Sequence, residues 1–166
     1  MADELLVDLV AGVPDQDEPP ERVRFAAYLQ ALAQVRNQEE RGLMTEVLTD
    51  PDPATAQSAV VRHLDRLATD LLKSPEYITW AQAIVKVLKP HSFLVQRLHK
   101  WSLFRAVALA QPWLPGALTD SSDWLQRKIV ESLDTSDTLA VLAETGRTRR
   151  VRNTARTTLT RGDNGA

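Results

Sequence analysis

Three histidines, His63, His91 and His99, are the side chains best suited to metal or proton chemistry. No two stand in a His-x3-His spacing and no HExxH occurs. Helical zinc ligation, with a glutamate beside the metal-bound water, therefore has no basis here. The chain contains no cysteine, which excludes thiol nucleophiles, thiolate metal sites and disulfides. Carboxylates are paired as Glu39-Glu40 and as Asp50 and Asp52 in "DPD". General acid–base work needs two carboxyls aimed at one substrate from a shielded cleft. Adjacent glutamates on a helix diverge by about 100°, and the DPD acids read as turn and cap residues. Six glycines are scattered singly and no GxSxG occurs, so neither a phosphate-cradling loop nor a nucleophile elbow is present. These patterns point away from an enzyme, and no cofactor or metal site is expected.

Binding chemistry is better represented. Five arginines fall between Arg147 and Arg156. On a helical wheel Arg149, Arg152 and Arg156 share one flank, while Val151, Ala155 and Leu159 form an inward face. Such a stripe can meet phosphates. It can equally form the polar outer face that a terminal repeat requires, with arginine stems covering apolar surface. Of the four tryptophans, Trp80 lies on an apolar helical stripe. Trp113 falls in a proline-rich loop and Trp124 opens a helix beside Asp123, positions from which an aromatic can anchor an interface.

The elements that must position these groups are helical. Val60, Val61, Leu64, Leu67, Ala68, Leu71 and Leu72 form one i, i+3, i+4 stripe, and Tyr77, Trp80, Ala81, Ile84, Val85 and Leu88 form another. Helices are expected near 3–11, 20–36, 39–49, 53–73, 75–88, 91–110, 121–133, 136–145 and 148–160. Residues 12–20 and 112–121 are expected as loops, the second because Pro112, Pro115 and Gly116 oppose a regular helix. Asp52 before Pro53, Ser74 before Pro75 and the Asp120–Ser122 cluster offer N-caps. Gly146 stands where a helix should close on a left-handed residue. At 166 residues the chain suits one domain, 1–160, with a frayed tail at 161–166. The RGD tripeptide in that tail reads as coincidence. No apolar run is long enough to span a membrane, and the acidic start "MADELLVDLV" lacks the basic opening of a secretory signal. A cytoplasmic protein with no membrane partner is expected. Residues 1–57 hold twelve acids and four bases, net −8, and residues 58–166 carry +6, a dipole able to steer a charged partner.

A repeat is visible in five helices. "VRFAA" at Val23, "AQSAV" at Ala56, "VQRLH" at Val95, "LQRKI" at Leu125 and "VRNTA" at Val151 share one pattern. An apolar residue is followed by Arg or Gln, two variable residues and a fifth position that is usually apolar. His99 breaks the fifth position, where its counterparts are Ala27, Val60, Ile129 and Ala155. The register implies a buried, hydrogen-bonded histidine or a helix turned out of register. The alternative is a polar group placed to face a ligand. On "MTEVLTDPDPATAQSAVVRHLDRLA" (Met44–Ala68) and "LAVLAETGRTRRVRNTARTTL" (Leu139–Leu159), the chain resembles the HEAT-repeat family. The two stretches cover under a third of the chain. The first and fourth repeats depart from the pattern at the loops 12–20 and 112–121. The resemblance implies an all-α solenoid of about five stacked antiparallel helix pairs that binds partners along its surface, and it implies no chemistry.

The sequence therefore predicts a non-enzymatic scaffold for a protein partner, with Arg149, Arg152, Arg156, Trp113, Trp124 and His99 as candidate contacts. The alternative is nucleic-acid binding by the basic segment and its tryptophans. A less favoured variant of that alternative is a HEAT-like DNA glycosylase for alkylated bases, with Asp123 beside Trp124 as its acid.

Overall fold

A computed structural model describes residues 18–164. The helix expected at 3–11, and most of the loop expected at 12–20, lie outside the described residues. Within them the chain is all-helical and no strand occurs. The helices are α1 (Pro20–Gln34), α2 (Asn37–Val47), α3 (Pro53–Asp70), α4 (Glu76–Leu88), α5 (Ser92–Ala108), α6 (Pro115–Thr119), α7 (Asp123–Ser132), α8 (Ser136–Thr145) and α9 (Arg149–Asp163).

Local chemistry accounts for several boundaries. Asp52 accepts from the Ala54 and Thr55 backbone N–H groups and caps α3 ahead of Pro53. Ser74 Oγ accepts from Glu76 N–H at the head of α4. Ser122 caps α7 by accepting from Leu125 N–H, and Thr148 caps α9 through Val151 N–H. Residues 112–121 differ from expectation, because Pro115 opens α6 rather than preventing a helix. At the first helical position the missing N–H has no partner to lose, and the fixed φ suits the turn. Helix α9 continues to Asp163, so the RGD tripeptide is helical.

Two helix ends reverse a glycine expectation. Gly146 follows α8 with φ −52°, not in the left-handed region. Its reason is space: a Cβ there would lie 2.5 Å from Leu142 O and 2.8 Å from Val151 Cγ1. The helix that closes on a left-handed residue is α5, at Ala110 with φ 53°; Asn37, at the start of α2, has φ 55°. Gln111 N–H bonds to Ala106 O and Ala110 N–H to Val107 O, the paired bonds of a Schellman motif that closes α5.

The chain divides into two compact units between Leu67 and Ala68. In the first, α1 packs with α2. In the second, α4 packs with α5, α5 with α7, α6 with α8, and α9 with both α7 and α8. The core of the second unit includes Tyr77, Trp101, Phe104, Leu118, Leu125, Ile129, Leu139, Leu142, Val151 and Ala155. Among the described residues no helix is long and apolar enough to cross a membrane.

Candidate functional site

The five-residue register holds in three helices. Ala56 and Val60, Leu125 and Ile129, and Val151 and Ala155 are all buried. It fails in α1, where Ala27 is exposed, and in α5, where His99 is exposed. Helix α5 buries Leu94, Leu98, Trp101 and Arg105 instead. That stripe starts one residue before Val95, and one residue is about 100° of rotation, which carries His99 into solvent. The buried-histidine expectation is thus corrected for His99. The histidine that is buried is His63, 2% exposed, with Nε2 2.8 Å from Glu40 Oε1. Arg66 Nη2 lies 3.1 Å from His63 Nδ1. A guanidinium only donates, so Nδ1 accepts and Nε2–H donates to Glu40. Glu40 and His63 belong to the first unit's interior, and Arg66 is exposed.

Two of the Arg/Gln repeat positions hold preceding helix ends. Gln126 is fully buried, donates from Nε2 to Leu118 O and Thr119 O, and accepts from Arg147 N–H. Arg152 Nη1 donates to Gly146 O at 2.7 Å. Arg105, off the repeat, does the same with Nε to Leu72 O and Nη2 to Ser74 O. Each satisfies carbonyls that a helix end leaves without a partner. The arginine stripe on α9 is therefore divided. Arg152 is turned to the backbone, while Arg149 and Arg156 are exposed. Arg150 pairs with Glu131 at the surface.

The aromatics of the second unit are engaged with one another. Trp124 is half-buried and meets Trp101 edge-on at 5.8 Å. The Arg97 guanidinium covers its face at 3.6 Å. Lys128 Nζ sits 4.8 Å from Trp101 and 5.2 Å from Phe104, within cation–π range. Trp113 is half-buried against the same core. The Tyr77 hydroxyl is pushed up from its ordinary value, first by burial, with Ser102 and Arg105 pulling the other way.

The first unit has its own charged cluster at the head of α3. Tyr28 OH donates to Asp50, whose side chain is 4% exposed, and Arg24 lies 3.4 Å from Asp50 and 3.8 Å from Asp52. The Tyr28 bond is the main cause holding the Asp50 carboxyl below, and the Tyr28 hydroxyl above, their usual ranges. Asp52 is lowered chiefly by Thr55. Every acceptor here is used within the fold, which makes this a brace for the turn.

The six candidate residues do not converge. One surface feature among the described residues includes His99: a trough of about 540 Å³ along the seam of α4 and α5. Val85, Lys86 and Lys89 line it from the end of α4, and Ser92, Val95, Gln96 and His99 from the start of α5. The last four stand at i, i+3, i+4 and i+7, one complete helical face. Val85 and Val95 are half-buried, and Lys86, Lys89, Gln96 and His99 are exposed. Sequence spacing does not single out the lysines. The available signal is Val95, an apolar residue with Ser92, Gln96 and His99 for helical neighbours, about 100° around the helix from the stripe of Leu94, Leu98 and Trp101. Among the described residues no group of three His, Asp or Glu could hold a metal ion. No protein-family model, curated protein or solved structure matches the chain.

Proposed function

We propose that this chain is a non-enzymatic binding scaffold of HEAT-like helix pairs that recognises a protein partner in the cytoplasm. The observation that supports it is the α4–α5 trough, an aliphatic floor rimmed by exposed cationic and polar side chains. Apolar floors with polar rims are the form of protein-recognition surfaces. The use of the tryptophan faces argues in the same direction. Base stacking needs an open π-face, and Arg97 already lies over Trp124.

Capture from lysate of the native host, with and without nuclease, tests this reading. A protein retained after nuclease treatment is the expected result. Loss of all captured material on nuclease treatment would favour the nucleic-acid reading, whose support is the exposed pair Arg149 and Arg156. That reading forecasts oligonucleotide affinity that falls steeply with salt and collapses in Arg149→Glu/Arg156→Glu while the fold survives.

A further inference from the structure

The trough has a chemistry that specifies its occupant. Its floor is aliphatic, from Val85 and Val95, and no Phe, Tyr or Trp lines it. Its cationic side chains are Lys86 and Lys89, with His99 across from them on α5, and no acidic residue lines it. Neither lysine is in an ion pair among the described residues. The surface is therefore complementary to a ligand with an apolar stripe and negative flanks.

The backbone around it selects the ligand's conformation. An extended peptide gains affinity by adding to a sheet edge, and the described residues contain no strand. A polyproline segment docks on aromatic-lined grooves, and this floor is valine. Phosphopeptide sites are built from arginine clusters that grip the phosphate by two bonds, and no arginine lines this trough. A seam between two packed helices is the groove into which a third helix lays its i, i+3/i+4, i+7 side chains.

Resting on the protein-binding reading above, we propose that the α4–α5 trough docks an acidic amphipathic helix of a partner protein. The partner's apolar stripe meets Val85 and Val95, and its carboxylates meet Lys86, Lys89 and His99.

The test is a titration of the full chain against a fluorescent synthetic peptide of about 14 residues, close to four helical turns. The peptide carries leucines at i, i+3/i+4 and i+7 and glutamates on the flanks. Saturable binding is expected. Lys86→Gln/Lys89→Gln should weaken it about tenfold, the scale of two partly exposed charge pairs. Val95→Thr, which keeps the side-chain shape but makes the floor polar, should weaken it severalfold. Both variants should keep the wild-type melting temperature. A scrambled peptide of the same composition should bind poorly, and duplex DNA should not compete. Unchanged affinity in both variants would overturn the proposal. So would equal binding of the scrambled peptide or of DNA, which would mark a general polyanion surface. If nuclease-treated lysate yields the same captured protein for wild type and both variants, this docking site is wrong and the scaffold reading stands. If wild type captures nothing once nucleic acid is removed, both fall.

Discussion

Helix α5 has two flanks that carry the same kind of charge and differ in what the charge does. On one flank Arg97 lies over Trp124 and Lys128 approaches Trp101 and Phe104. Those cations are held by aromatic faces that also form the core. On the other flank Lys86, Lys89 and His99 surround two half-buried valines and have no such partner. The first flank is stability chemistry. The second leaves apolar surface and positive charge unsatisfied within the fold, which is the condition for recognising something else. Counting basic residues along the chain cannot separate the two, because only packing decides which cation is engaged.

The largest expected effect breaks the engaged flank. Trp101→Ala removes a 2%-exposed side chain that contacts Phe104, Trp124 and Lys128. It should cost about 3–5 kcal/mol in urea unfolding. A loss below about 1 kcal/mol would mean that the aromatic flank does not organise the core. Gly146→Ala tests the same distinction at a backbone position. Its Cβ would enter space already filled by Leu142 O and Val151 Cγ1, so a loss of about 1–3 kcal/mol is expected. Ala110→Gly should act the opposite way at the end of α5. Relief of the left-handed φ is worth about 1–2 kcal/mol, and the greater unfolded-state freedom of glycine offsets about half of it. A net gain near 0.5 kcal/mol is expected, read as a higher melting temperature.

A smaller effect appears with pH in the first unit, where the charges are also engaged. Asp50 and Asp52 titrate below their ordinary value when folded. Their contribution is therefore present above the unfolded value of about 3.9 and is lost as pH falls through the folded value. Tyr28→Phe should flatten the acid limb of melting temperature against pH below about pH 4. An unchanged limb would show that the Tyr28–Asp50 bond does not couple to stability.

Much of the fold is legible in the sequence because its signals are local. The stripe beginning at Val60, the Asp52-Pro53 cap and the interval 136–145 follow from spacing and capping within one helix. The register at Leu125 and Val151 also carries through to buried residues. What is not legible depends on neighbours. The rotation that exposes His99 is set by Leu94, Leu98 and Trp101 meeting other helices, and "VQRLH" alone does not contain it. Gly146 is conspicuous as a helix stop, yet its cause is the approach of Val151 from α9. Ala110 carries no mark of a left-handed residue, since alanine is a poor choice for one. Glu40 and His63 are far apart in sequence and become partners only through the packing of α2 with α3's side chains. The trough is hardest of all. Its lysines look like an ordinary solvated helix end until α5 places Val95 and His99 opposite them.

On the proposal above, the unengaged flank of the α4–α5 pair is the recognition surface. The most direct measurement is fluorescence anisotropy of the acidic amphipathic peptide on wild type and on Lys86→Gln/Lys89→Gln, with melting curves of both proteins. Saturable binding to wild type and about tenfold weaker binding to the variant are expected, at a stability within about 1 kcal/mol of wild type. Equal affinity for the two proteins would contradict it.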